Sequence, residues 1–184
     1  MKTYHHGNLK KELIKCACVM CERDGYTKLS IRSLAKESKV SQTAPYRHFK
    51  TKEDLYAAIV KEGFDKLNKK MMSIKIKDSK NYLIGCGKTY IDFGLNNANT
   101  YDLMFGTAVG NYADYPDLSE SANNLFQFLL SSFRKLSDDD DEIVAFKCIT
   151  LWSMVHGLVG IIRKVNIAGD GSKDGPMPFA NQIS

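Results

Sequence analysis

The chain has 184 residues, 43% of them apolar, and a net charge of +5, enough for one large domain or a small domain joined to a medium one. No uninterrupted apolar run approaches the roughly 18 residues of a membrane span, and the N-terminus lacks an apolar signal segment; five cysteines without scaffold-like spacing suit a reducing cytosol, so a cytoplasmic protein is expected. Residues 1–77 carry 18 Lys+Arg against 8 Asp+Glu, whereas residues 78–184 carry 8 against 13, so the first part is the natural partner of a polyanion such as nucleic acid.

In chain order the pattern is helical, with almost no strand signal. Residues 8–24 place Leu13, Ile14, Ala17, Met20 and Cys21 on one stripe, and Asp24-Gly25 supplies the stop. Ser30 is the expected N-cap of a short helix with Ile31, Leu34 and Ala35 inward. Residues 38–40 form a brief turn. Ser41 then caps a second short helix running to Phe49, with Pro45 in its first turn, where proline costs at most one intrahelical bond. Thr51 opens a longer helix, supported by Glu53 and Asp54, carrying Leu55, Ile59, Phe64 and Leu67 toward residue 75. A weak boundary follows at 77–81.

Beyond it, residues 82–97 and 100–109 are moderately apolar helical segments, and Pro116 marks a break. Residues 118–136 form an apolar helix. Residues 139–165 form a longer one, apolar nearly all round from Ile143 to Ile162, which demands burial on several sides. The Gly- and Pro-rich tail from Asn166 is expected to be loosely ordered. The fold class is therefore all-α. Residues 1–50 form a helix-turn-helix domain, 51–77 a connector helix, 78–165 a helical second domain and 166–184 a tail.

Two short helices joined by a turn within 30–49 fit a helix-turn-helix. The second helix of such a motif enters the major groove N-terminus first, so its first-turn side chains, Gln42, Thr43 and Ala44, would meet base edges. Gln can pair with adenine through two hydrogen bonds, Thr can hydrogen-bond or touch a thymine methyl, and Ala can touch that methyl. Tyr46, His48 and Lys52 follow as phosphate donors. The competing reading is a helical hairpin with a solvated basic face.

At these residues the chain resembles a family. Leu29 to Val60, LSIRSLAKESKVSQTAPYRHFKTKEDLYAAIV, is similar to the DNA-binding segment of TetR-family transcriptional regulators, with Tyr46-x-His48-Phe49-x-x-Lys52 as its most specific part; the opening Tyr4 to Leu9 resembles one branch of that family. The resemblance implies base contacts by Gln42, Thr43 and Ala44. It also implies phosphate contacts by Thr27, Ser30, Arg32, Tyr46, His48 and Lys52.

In the second half, Trp152-x-x-x-His156-Gly157 resembles the Trp-x-x-x-His-Gly signature of one class of TetR-family ligand domains, and Tyr101-Asp102-Leu103-Met104-Phe105 resembles its Tyr-Arg-Leu-Met-Phe segment. Asp102 stands where arginine is usual, and Ala98 where proline is common. The family resemblance implies a helical domain that binds a small effector and dimerises. Trp152 and His156 share a helical face. With Phe93, Met104 and Phe105 they are candidates to line an apolar pocket with one polar handle. Equally, each fits a core position, with His156 satisfying a buried hydrogen bond.

Other features read blandly. Cys16 and Cys18 point about 200° apart on one helix, so Cys16, Cys18 and Cys21 cannot share a tetrahedral metal. The acids from Asp138 to Glu142 lack the spaced loop of a calcium site and suit a helix start. His5-His6 fits a lead-in near DNA. No metal or cofactor is expected.

The expected function is a ligand-released repressor, a homodimer through residues 118–165 on a palindromic operator, with an unidentified small effector and no membrane. Two readings compete. One is a helical enzyme with His156 as acid/base and Asp92 or Asp102 as its partner. The other is a helical protein-interaction module.

Overall fold

The structure is a computed structural model and describes residues 9–75 and 79–168. The pair His5-His6 and the tail from residue 169 lie outside the described residues. Among those described are seven α-helices and no strand: α1 (Leu9–Asp24), α2 (Ile31–Glu37), α3 (Lys52–Met72), α4 (Ser79–Asn96), α5 (Ala98–Phe105), α6 (Pro116–Arg134) and α7 (Asp141–Ala168). The chain divides into two compact units. Of the described residues, the first holds 9–72 and 97–126, the second 73–75, 79–96 and 127–168.

In the first unit α1 buries Leu13, Ala17, Met20 and Cys21, the expected stripe, while Ile14 is half-buried. It stops at Gly25, whose φ of 83° is open to glycine at no steric cost. Ser30 caps α2 in a closed box: its hydroxyl accepts from the Ser33 N–H at 3.0 Å, and the Ser33 hydroxyl accepts from the Ser30 N–H at 2.9 Å. Serine thus takes the place that Glu or Gln usually fills. At the next boundary the Asp54 N–H donates to Thr51 Oγ1 at 3.0 Å, and the Asp54 carboxylate accepts from the N–H groups of Thr51 (2.9 Å) and Lys50 (2.8 Å).

The segment between these caps departs from expectation. No α-helix runs from Ser41 to Phe49. Residues 42–44 form a turn and Pro45–Arg47 a 3₁₀ turn. Proline has no N–H to return to the Ser41 carbonyl, which accepts instead from the Ala44 N–H at 3.0 Å. The tighter pattern continues with His48 N–H on the Pro45 carbonyl at 2.9 Å. Nor does Ser41 cap a backbone: its hydroxyl lies 3.3 Å from Thr43 Oγ1.

Helices α1, α3 and α5 pack together around fully buried Leu13, Leu55, Ile59, Leu67 and Leu103, and α2 packs on α1 with Leu34 buried. Each such side chain contributes about 1.5–3 kcal/mol on leaving water. Helix α5 ends at Phe105, short of the expected 109, because the backbone turns extended at Gly106; a Cβ there would lie 2.5 Å from the Asp102 carbonyl oxygen. Pro116 begins α6 at its first position, where its missing N–H is harmless.

In the second unit α4 packs on α7. Helix α7 runs to Ala168, past the expected start of the tail. Its acidic start is answered by cations, Arg134 to Asp141 at 2.7 Å and Lys147 to Asp139. The stretch Asp141–Lys164 is long and apolar enough to cross a membrane by length and composition. A search for unbroken apolar runs misses it because Lys147 interrupts the run. Within the chain α7 buries one side through Val144, Cys148 and Val159; Ile143, Phe146, Ile149, Met154 and Ile161 are exposed.

Candidate DNA interface and effector site

The tip of the first unit is built from an anchored turn. Pro45 and Phe49 are buried and pin it from behind, while Gln42, Thr43, Tyr46 and Arg47 are exposed and Ala44 and His48 half-buried. The His48 and Phe49 rings meet edge-on, centroids 6.4 Å apart. Of the expected phosphate set, the structure brings Thr27 and Lys52 together. Lys52 Nζ donates to the Thr27 carbonyl at 3.2 Å and sits 5.2 Å from the Tyr56 ring centroid. The Tyr56 hydroxyl donates to the Tyr26 carbonyl at 2.6 Å, and the two tyrosine rings pack edge to face at 5.7 Å. The 3₁₀ turn Tyr26–Lys28 is thereby fastened to the first turn of α3. Ser30 is occupied by its cap, and Arg32 is exposed on α2. Lys28, Lys36, Lys39, Arg47 and Lys50 are further exposed cations on this segment that motif reading leaves unassigned.

In the second unit, His156 and Trp152 meet on one hydroxyl. Tyr90 Oη lies 3.0 Å from His156 Nδ1 and accepts from Trp152 Nε1 at 3.0 Å. The indole is a donor only, so the Tyr90 hydroxyl bridges it to the imidazole, with its role toward Nδ1 set by the His156 tautomer. Burial moves His156 ionisation below its ordinary 6.5, so the ring is neutral at pH 7. Tyr90 and Phe93 are fully buried on α4. Tyr90 is not among the expected site residues. Its partners lie 66 and 62 residues away in the chain, and nothing local marks it. Met104 and Phe105, the other expected pocket residues, belong to the first unit. There Phe105 packs on Tyr101 (4.8 Å between centroids) and Phe64 (5.9 Å), and the Tyr112 hydroxyl donates to the Met104 carbonyl.

Two family models match the chain: "Bacterial regulatory proteins, tetR family" over residues 13–59 and "Tetracyclin repressor-like, C-terminal domain" over residues 83–171. The chain belongs to the TetR family of transcriptional regulators. It is a DNA-binding transcriptional regulator. Solved structures share the fold at low identity. A protein of unknown function from Rhodococcus sp. RHA1 is 21% identical, with TM-score 0.74, covering 94% of this chain and 90% of that one. A single-substitution variant of TetR from Acinetobacter baumannii AYE, in complex with minocycline, is 17% identical, with TM-score 0.60 and coverages of 91% and 86%. BioQ with its natural double-stranded DNA operator is 18% identical, with TM-score 0.62 and coverages of 82% and 84%. No curated protein sequence matches the chain.

In this TetR-family regulator α1 and the first turn of α3, which flank the helix-turn-helix, are bonded directly to α5 and the loop after it. The Glu22 carboxylate on α1 accepts from the N–H groups of Asn99 (3.2 Å) and Thr100 (3.1 Å) and from Thr100 Oγ1 (2.7 Å). It caps α5, whose own N-cap Asn97 makes no side-chain cap bond. Glu53, in the first turn of α3, accepts from the Gly110 N–H at 2.8 Å. Between these clips α3 crosses α5 at Gly63, where a Cβ would come 2.6 Å from Met104 Sδ. Sequence reading misses both carboxylates, since surface glutamates on helices carry no motif.

The first unit also has an open cleft of about 580 Å³ lined by Lys15, Cys18, Glu22, Glu62, Lys66, Asn97 and Thr100. Burial pushes its Cys18 thiol up to about 12, which disfavours the thiolate at neutral pH. Burial, with Glu22 nearby, raises Cys21 to about 11, and burial raises Cys86 to about 11.

Proposed function

We propose that the protein is a cytoplasmic, ligand-released repressor that binds a palindromic operator as a homodimer. The observation that carries this reading is the exposed polar tip, Gln42 and Thr43, held on a buried Pro45–Phe49 base and flanked by Tyr46, His48 and the fastened Thr27–Lys52 pair. Gln42, Thr43 and Ala44 meet base edges; Thr27, Ser30, Arg32, Tyr46, His48 and Lys52 meet phosphates. Two tips about one helical turn of DNA apart require two copies, which makes the operator symmetric. Residues 118–165 supply the dimer contact through the apolar side that α7 leaves exposed. The likeness in fold to a regulator crystallised on its operator and to one holding minocycline supports both halves of the reading.

The effector binds in the region of Phe93, Trp152 and His156; Met104 and Phe105 are the further candidates, on α5. A neutral imidazole, its Nδ1 turned to Tyr90, is the polar handle; it favours a ligand without strong negative charge. The effector releases DNA only by binding the DNA-free arrangement more tightly. The clips at Glu22 and Glu53 are the route by which a shift of α5 reaches the tip.

Fluorescence anisotropy with duplexes selected by the protein from a random pool tests the reading. Selection of a palindrome, with salt-sensitive affinity, is expected. Substituting Gln42 or Thr43 changes which base is preferred, whereas substituting Tyr46 or Lys52 weakens all sequences alike. Failure to select any sequence excludes it.

A further inference from the structure

Lys39 is the one residue other than glycine, among those described, with a left-handed backbone, at φ 54°. It follows α2 at the position where the chain reverses. The Val40 N–H donates to the Ala35 carbonyl at 3.1 Å and the Lys39 N–H to the Lys36 carbonyl at 3.2 Å, the two bonds of a Schellman cap. Glycine is the usual occupant, because a Cβ in this conformation crowds the next carbonyl. The backbone alone therefore satisfies the end of α2. The Lys39 side chain is exposed and makes no hydrogen bond, ion pair or ring contact with the described residues. It adds strain and returns nothing to the free protein. Strain of this kind persists where a functional contact repays it.

We propose that Lys39 is a DNA-phosphate contact, placed at the turn of the helix-turn-helix at the expense of stability. The proposal rests on the DNA-binding reading above. Lys39 is three residues from Gln42, so their Cα atoms are at most about 11 Å apart. The major groove is about 12 Å wide. When Gln42 reads base edges inside the groove, the turn lies at its phosphate rim. Arg32, Lys36, Arg47 and Lys50 are exposed around the same segment. The nearby acid Glu37 is taken by Arg23 Nη1 at 2.9 Å, so it is not left to neutralise the turn.

The test compares Lys39→Gly, Lys39→Asn and Lys39→Arg on a duplex selected by the wild-type protein from a random pool. Lys39→Gly is expected to melt a few degrees higher than wild type, since the strain is relieved. The same variant, and Lys39→Asn, should bind the duplex about three- to tenfold more weakly. The slope of log affinity against log salt should fall by about 0.9 for each lysine removed, hence by about two for a dimer. Lys39→Arg keeps the charge and restores affinity and slope. Unchanged affinity and slope in Lys39→Gly and Lys39→Asn overturn the proposal. So does weaker binding with a lower melting point and an unchanged slope, which marks lost fold and not a lost contact. Failure of the wild-type protein to select any duplex removes the DNA-binding reading and this proposal together.

Discussion

Glu22 on α1 and Thr100 on α5 are joined by two hydrogen bonds to one carboxylate oxygen, from the Thr100 N–H at 3.1 Å and its hydroxyl at 2.7 Å. A residue of the helix that precedes the helix-turn-helix thereby caps a helix through a partner 78 positions later in the chain. The bond is charge-assisted, and the negative group sits at the positive end of the α5 dipole.

Glu22→Ala therefore removes a cap at a cost of about 0.5–2 kcal/mol. For a chain of this length that is a fall in melting temperature of about 1–8 °C. Differential scanning calorimetry measures it. Because the clip lies on the proposed signal route, Glu22→Ala should also shrink the ratio of operator affinities with and without effector. Glu22→Gln keeps an acceptor and should lose less on both counts. An equal loss from Gln and Ala would show that the charge, not the hydrogen bonds, holds α5.

Gly63→Ala tests the close crossing of α3 and α5. The added Cβ meets Met104 Sδ at 2.6 Å, Thr100 Cγ2 at 3.1 Å and Met104 Cγ at 3.2 Å. Overpacking of this kind costs about 1–3 kcal/mol, and the better helix propensity of alanine returns about 1 kcal/mol. A net loss of about 1 kcal/mol is expected in denaturant titrations. Combining it with Met104→Ala, which makes room, should cost less than the two single losses added together.

These two contacts also show where the sequence is legible and where it is not. Caps at Ser30 and Thr51 lie within four residues of their partners, so local composition reveals them. The α1 stripe is readable for the same reason, because a helical period needs no knowledge of the partner. Pro45 is compatible with a helical start. Its missing N–H, however, shifts the Ser41 carbonyl to Ala44 and leaves a 3₁₀ turn in place of the expected helix. Glu22, Glu53 and Tyr90 are invisible because their partners are more than 50 positions away. For α7, apolarity on all sides reads as a demand for burial. The chain meets that demand on one side only, leaving Phe146 72% and Met154 66% exposed.

The Tyr90–His156 contact predicts a pH dependence. Burial holds His156 below its ordinary 6.5 in the folded chain. The unfolded chain therefore binds more protons once the pH falls below about 6.5, and stability rises with pH across that window. The contribution is fully present above 6.5 and declines as the pH drops toward the folded value, by at most about 1.4 kcal/mol per pH unit. Melting temperatures of wild type and His156→Gln between pH 8 and pH 5 isolate it. The wild-type curve should fall more steeply than the variant's below 6.5; parallel curves would remove His156 as the source.

The exposed side of α7 predicts how the proposed dimer fails. Ile143, Phe146, Met154 and Ile161 are exposed at spacings that place them on one stripe with Gly157 and Gly160, around whose Cβ positions there is open space. An apolar surface of this kind marks an interface. Phe146→Asp and Met154→Asp place a charge there without touching the buried Val144, Cys148 and Val159 that hold α7 to its own chain. Each should leave the circular dichroism spectrum unchanged while light scattering at micromolar concentration shifts from dimer to monomer. Operator affinity should fall more than tenfold, since a single tip binds one half-site. Gly157→Ala and Gly160→Ala separate the two effects. Within one chain each gains about 1 kcal/mol of helix propensity, so a weaker dimer from either variant would place a partner helix close against that glycine. Val19→Asp, on the exposed face of α1, is the control that should change neither mass nor fold.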